Sequence, residues 1–366
     1  MTLVETSAIE SSLLSLVPGS DPPVPAPRFS RTVDRALVHR HAVSEVFITD
    51  LVETGSDSCL VGAQLPISHS YFLDSVRRPA PYDICLLTEC ARQACTYIAH
   101  ERFGVPMGWV FMMTGMSTKL AGHVEVGVGD RPAELAMSAR TQAMVSGTRL
   151  RGMKASIDVS VDSLPVGTIS GEGRYLSAEE YEFLRRGERT GSVPSSRSLD
   201  DVPAGIRVPP NLVGRCDPRN VMLVDAHRTA IGVAAKLGVS GRHATLFDHP
   251  LDHYPGMALV EASVQAALLA VGLAGSTGTG LRAVGLDAGF SRFAELDDEV
   301  AVAARPHPSI DGTTGATTVD VSFEQKAVRL ADIQVVLADP TLQADAIDQA
   351  DVTRRAMAAA AVGGTV

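Results

Sequence analysis

An excess of positive charge is the first thing this sequence lacks. Its 366 residues carry 32 Lys and Arg against 42 Asp and Glu, a formal net charge of −10. Nucleic acid is therefore a poor fit as the main partner, because neutralising a phosphate backbone needs a basic surface. A local basic pocket for one small phosphate remains compatible with that balance. No stretch approaches the length of a membrane span. The opening "MTLVETSAIESSLLSLVPGSDPP" has no basic start ahead of a long apolar run, so no secretory leader or membrane partner is expected and the cytoplasm is the expected compartment. Cysteine is scarce and odd in number, at five, which excludes a disulfide framework. Three of them, Cys85, Cys90 and Cys95, fall on one predicted helix at spacings of five that splay them round the cylinder. That placement suits buried reduced thiols, and neither metal nor cofactor is expected. A G-x-S-x-G elbow is missing, which argues against an α/β-hydrolase. The glycines around 126 to 130 do not sit between a strand and a long helix, so they make no dinucleotide fingerprint.

What is present suits a globular enzyme-sized chain, 45% hydrophobic and 20% charged. Its length predicts two domains. Residues 1–34, rich in proline, read as a loose lead-in, 35–186 as a first domain and 187–213 as a linker. Residues 214–345 read as a second domain and 346–366 as a tail. In the first domain "VSEVFITDLVE" and "SCLVGAQLPI" read as strands before a helix from about 82 to 103. Ile84, Leu87, Ala91, Ala94 and Ile98 give that helix its buried face. Four more strands follow. The second domain repeats the pattern, with "NVMLVDA" and "RHATLF" as strands flanking "AIGVAAKLG", a helix from about Pro255 to Gly272, and further strands. Glu89 and Glu261, each inside a Glu-x-x-x-Gln-Ala core, lie 172 residues apart. Such self-similarity indicates a duplicated α+β unit, one long helix against several antiparallel strands.

The stretch "HYPGMALVEASVQAA" resembles the helix mouth of hydroxyacyl-carrier-protein dehydratases. The runs "VHRHAVSEVFITD", "GAQLPISHSYF" and "YDICLLTECARQA" together resemble the A-factor biosynthesis (AfsA-type) family. That resemblance implies a tandem (double) hotdog fold, each half an antiparallel sheet wrapped around one long central helix. It further implies an acyltransferase that moves a β-ketoacyl chain from an acyl carrier protein thioester to a hydroxyl of dihydroxyacetone phosphate. Ring closure would then give a butenolide phosphate, on the way to a γ-butyrolactone or furan signal. A dehydratase or thioesterase on acyl thioesters is the alternative activity, and a non-catalytic acyl-binding regulator the alternative class. A monomeric pseudo-dimer and a homodimer are both compatible with the duplication.

Transfer from a thioester to an alcohol needs a base, donors for an oxyanion and a cation for the phosphate. Pro255 is expected at the first helical position, where free N–H groups and a positive dipole end follow, and the likeness to hotdog enzymes implies that the N–H of Gly256 or Met257 contacts the thioester oxygen. A buried carboxylate is costly unless paired, so Glu89 and Glu261 are either structural acids or bases with a raised pKa. The likeness to dehydratases, whose matching glutamate is catalytic, favours the second reading. Arg92, one turn from Glu89, either pairs with it or holds a phosphate. Val264 stands at the matching place in the second half, whereas Gln93 and Gln265 correspond. Both glutamines are candidate substrate contacts. His249 and His253 are candidate general bases oriented by Asp248 or Asp252, with helix capping as the plainer role for Asp252. His69 faces either the helix mouth or a turn, and His39 and His41 have no assigned role. Arg77-Arg78 and Arg185-Arg186 read as solvated pairs, one of which would suit an acidic carrier protein.

Overall fold

The computed structural model describes residues 26–121, 125–187, 192–199, 203–274, 280–307 and 315–339. The expected lead-in, tail and parts of the linker lie largely outside these residues. The first half contains β1 (Ile48–Glu53), β2 (Ser58–Leu65), α1 (Ile84–Glu101), β3 (Val110–Leu120), β4 (Ala133–Ser146), β5 (Arg149–Val161) and β6 (Leu164–Leu176). A helix that the sequence reading missed, α2 (Ala178–Gly187), follows. The second half contains β7 (Leu223–Thr229), β8 (Gly232–Leu237), β9 (His253–Tyr254), α3 (Gly256–Leu273), β10 (Arg282–Phe290) and β11 (Ala294–Glu295). It ends with β12 (Ala301–Pro306), β13 (Ala316–Gln325) and β14 (Val328–Ala338).

Twelve of the strands form one antiparallel sheet in the order β1-β2-β4-β5-β6-β3-β10-β14-β13-β12-β8-β7. The order has a twofold sense. Each second-half strand mirrors a first-half twin, and the joint is the β3–β10 pair, with Met116 opposite Ala288. Each half-sheet curls around its own long helix, which is the double hotdog that the sequence resemblance implied.

The strands form because their side chains alternate. In β5, Met153, Ala155, Ile157 and Val159 are buried while Lys154, Ser156 and Asp158 are exposed. The helices lie inside the curls, and α3 is apolar almost all round. Its mean hydropathy of 1.7 over 18 residues is that of a membrane span, contrary to the sequence reading, yet 78% of it is buried within the protein. Leu259, Val260, Leu269 and Val271 are buried, and each such side chain contributes about 1.5–3 kcal/mol relative to exposure.

One stretch of the second half departs from expectation. "AIGVAAKLG" is itself strand β8, paired with β7, whereas "RHATLF" is a series of turns. Those turns are organised by His243, whose Nδ1 accepts the Leu246 N–H at 3.2 Å. A histidine ring that takes over a backbone partner removes the segment from any ladder.

Candidate active site

Each long helix carries its glutamate into the core, and an arginine from the segment before the half's first strand meets it there. Glu89 is 1% exposed. It receives Arg92 Nε at 2.7 Å and Arg92 Nη2 at 2.8 Å, together with the Arg40 guanidinium. Glu261 is fully buried and receives Arg215 Nε at 2.9 Å and Nη2 at 2.6 Å. Arg40 and Arg215 correspond, in "VHRH" and "VGRC". So the second half does have its arginine. It comes from the loop before β7 and not from the helix position held by Val264.

The glutamines are not substrate contacts. Gln93 donates to Glu89 at 2.8 Å and to the Glu45 carbonyl at 2.8 Å, and accepts the Phe47 N–H at 3.0 Å. Gln265 repeats the set with Glu261 at 2.5 Å, the Asn220 carbonyl at 2.7 Å and the Met222 N–H at 2.8 Å. Every amide hydrogen-bonding group that could read a ligand is spent on tying helix to sheet.

The halves also hold one another. Asp74 accepts the N–H groups of Cys216 at 2.9 Å and Asp217 at 3.0 Å. In return Asp248 accepts those of His41 at 2.5 Å and Ala42 at 2.8 Å. Arg215 donates to the Tyr71 carbonyl at 2.9 Å, and Arg40 to that of Thr245 at 3.3 Å. His69 belongs to this frame. Its Nδ1 accepts the N–H groups of Tyr71 and Phe72 at 3.2 Å, and its Nε2 lies 3.5 Å from Glu45, so it organises a turn and is not in the wall of the cavity that Glu89 lines.

From this shared frame the two sites diverge. Around Glu261 the space is filled. Asp83 stands where α3 has Pro255, caps α1 through the Cys85 N–H at 2.8 Å and takes a third bond from Arg215 at 3.1 Å. Burial pushes the Asp83 carboxyl, the Tyr71 phenol and the Cys85 thiol up. Asp83, Cys85 and Glu261 approach one another as metal ligands do, but the Arg215 cation already occupies their charge. Glu261 is thus a sealed structural acid, contrary to the catalytic expectation.

Glu89 instead lies in the wall of a cavity of about 1360 Å³. Burial disfavours its ionisation, but Arg40 and Arg92 outweigh burial and hold its carboxyl far below the usual range. A carboxylate held so firmly ionised is an anchor for two guanidiniums and not a general base. The only acids of the cavity wall among the described residues are Glu89 and Asp252, against Arg35, Arg40, Arg92 and Arg292. In a chain of net charge −10 this is a local cationic pocket.

The opposite wall is the mouth of α3. Pro255 is the N-cap, one position earlier than expected, and no side chain caps the helix. Gly256 and Met257 line the cavity, and a Cβ on Gly256 would lie 2.6 Å from Met113 Cε. Where α1 closes its own N-terminus with Asp83, α3 leaves its first N–H groups and positive dipole end open. Asp252 does not cap. It accepts from Tyr181 Oη at 2.8 Å, from Arg185 Nε at 2.9 Å and from His253 Nδ1 at 2.6 Å. Burial opposes its charge, yet His253, Tyr181 and Arg185 hold its pKa low. Arg185, expected at the surface, is 4% exposed and bridges Asp252 to Glu295 at 2.6 Å beneath the Phe293 ring. Arg186 pairs with Glu182 and Arg77 with Glu125. His249 lines the cavity as well, with Nδ1 3.3 Å from Asp248 and its ring 5.1 Å from that of His41. Burial lowers its pKa, the Asp248 bond opposing.

Sequence reasoning missed Arg40, Arg215, Tyr181 and the structural part of Asp74. The signal was available in the matched V-x-R runs, 175 residues apart, and in the two aspartates of "YFLD" and "LFDH".

Fold and site together define a double-hotdog protein with one open active site built from both halves. A family model described as A-factor biosynthesis hotdog domain matches residues 23–177 and 197–338. The 2-oxo-3-(phosphooxy)propyl 3-oxoalkanoate synthase of Streptomyces virginiae is 33% identical over 281 residues, 76% of this chain and 89% of that protein. The protein of the same name from Streptomyces coelicolor is 31% identical over 310 residues, 80% of this chain and 87% of that one. Among solved structures, a putative oleoyl thioesterase from Lactobacillus plantarum has 12% identity and a TM-score of 0.48, over 78% of this chain and 98% of that one. GphF Dehydratase 1 has 13% identity and a TM-score of 0.48, over 79% and 97%. The chain belongs to the A-factor biosynthesis hotdog family.

Proposed function

We propose that this chain is an acyltransferase that joins a β-ketoacyl group to a hydroxyl of dihydroxyacetone phosphate, the ester named for its relatives. The donor is the thioester of an acyl carrier protein. The observation that carries the reading is the cationic cavity around Arg40 and Arg92 facing the uncapped mouth of α3. The phosphate fits the first wall, and the thioester oxygen the second. As the alcohol oxygen attacks, negative charge on the carbonyl oxygen is met by the Gly256 and Met257 N–H groups. The carbon–sulfur bond then breaks and the sulfur takes a proton from His253, whose charge Asp252 balances. The released ester closes by attack of its activated methylene on the ketone, with loss of water, to a butenolide phosphate. The same reading assigns the halves to residues 35–186 and 214–345, and the reduced thiols and charged substrate to the cytoplasm.

Mass spectrometry of the purified protein with a β-ketoacyl thioester tests this. A phosphorylated ester or butenolide that appears only with dihydroxyacetone phosphate is the expected result. Free acid or dehydrated acyl product, indifferent to the triose phosphate, sinks the reading in favour of a thioesterase or dehydratase. In the same assay His253→Ala lowers kcat by roughly 10²-fold, the usual worth of a positioned proton donor. A change below threefold removes His253 from the mechanism.

A further inference from the structure

The proton of the attacking hydroxyl still needs a destination. Glu89 is committed to two arginines, Asp252 to a tyrosine, an arginine and a histidine. Among the histidines of the cavity wall, His39 stands beside Arg40 and Arg92, and its neighbours fix which of its atoms is an acceptor. His100 Nδ1 lies 2.7 Å from the Val105 carbonyl, which can only accept, so Nδ1 carries the hydrogen. With that hydrogen on Nδ1, the Nε2 of a neutral His100 ring is the acceptor. That nitrogen lies 2.9 Å from His39 Nε2, which must then be the donor. His39 Nδ1 is left with a lone pair, in the wall that also holds Arg40, Glu89 and Arg92.

Two further observations mark the position. His39 has φ of 52° and ψ of 55°, the left-handed region, and the matching residue of the sealed half is Gly214, φ 77°. The open half keeps a bulky ring where its twin uses the residue that the backbone favours. Beside it, Arg40 Nε is buried without a hydrogen-bond partner among the described residues, a donor awaiting an acceptor.

We propose that His39 Nδ1 is the base that accepts the proton of the substrate hydroxyl, with His100 as the positioning residue that sets its tautomer. This role rests on the proposed acyl transfer. The oxygen–hydrogen bond of the alcohol breaks, the proton goes to Nδ1, and the oxygen's electron pair forms the new ester bond. The positive charge formed is carried by the His39 ring, whose Nε2–H stays bonded to His100. His253 gives a proton to the sulfur, and exchange with solvent then takes the proton from His39 and reprotonates His253, so that thioester and alcohol have become ester and thiol with the enzyme restored. The groups facing the ring are Arg40, Arg92, His100 and His249, and burial together with these neighbours brings its pKa down to about 3, which leaves Nδ1 unprotonated but a weak base until an anion binds. The two arginine charges that depress it are those a bound phosphate dianion would neutralise, which strengthens the base when the acceptor is in place.

His39→Gly is the test, because the twin half already tolerates glycine in that conformation. The expected result is a folded protein of modestly lower melting temperature, because His100 loses its donor, a loss of kcat of at least about 100-fold, and partial recovery with added imidazole. A second measurement needs no turnover. Ring ¹⁵N chemical shifts of His39 should report Nε2 protonated and Nδ1 bare, with Nδ1 shifting on addition of dihydroxyacetone phosphate. Activity of His39→Gly within threefold of wild type, or a protonated Nδ1, overturns the assignment. A wild type that forms no ester overturns the proposed function itself and this role with it, a result distinguishable from loss confined to the variant.

Discussion

Arg215→Met is expected to cost about 3–5 kcal/mol of stability, the usual penalty for removing one partner of a buried ion pair. The reason is local. Arg215 is 4% exposed and its guanidinium satisfies Glu261, Asp83 and the carbonyls of Tyr71 and Asp74. Without it two carboxyl groups face one another in the core, and two carbonyls lose their donor. Urea unfolding measures the loss as a fall in midpoint. Arg215→Met combined with Glu261→Leu should recover much of it, because an apolar replacement of a buried pair is often close to neutral. A single variant within 1 kcal/mol of wild type would show that the sealed cluster does not hold the halves together.

Glu89→Gln and Glu261→Gln separate the two halves. Both remove a buried charge from an arginine, and both should lose stability. Only Glu89→Gln should also lower kcat for ester formation, by roughly 10²-fold or more, because Arg40 and Arg92 then lose their anchor at the cavity wall. Glu261→Gln, once folded, should retain kcat within a few-fold. Equal losses in kcat would contradict a single open site. Stability against pH gives a second check on Glu89. Its folded pKa is depressed, so its stabilisation is present above its ordinary value of 4.5 and is lost as pH falls below it. Glu89→Gln should flatten that acid limb of the unfolding profile.

The alternation in β5 and the three-and-four spacing in α1 made the elements legible in the sequence, and the paired Glu-x-x-x-Gln cores made the duplication legible. The family runs supplied the hotdog. The failures share a cause. "RHATLF" has the composition of a strand, and the His243 ring, held at Nε2 by Asn220 from 23 residues away, takes the Leu246 N–H at Nδ1 and turns it into a loop. The sequence spacing paired Glu89 with Arg92 correctly, but Arg40 and Arg215 reach their glutamates from 49 and 46 residues away. No local pattern shows that. For the same reason burial could not distinguish a base from an anchor at Glu89, since the two differ only in which cations arrive. His253, His249, Gly256 and Met257 were placed at the mouth of α3 by sequence alone, and the cavity does open there.

The asymmetry between the two mouths has a meaning for the history of the chain. In a dimer of identical hotdogs every substitution appears in both sites, so an aspartate that plugs one plugs the other. Covalent fusion breaks that rule. Asp83 and Cys85 could fill one mouth, Gly256 and Met257 could open the other, and the backbone frame common to both did not have to change. The sealed mouth then becomes a keystone, buried and ion-paired, against which its active counterpart is free to diversify.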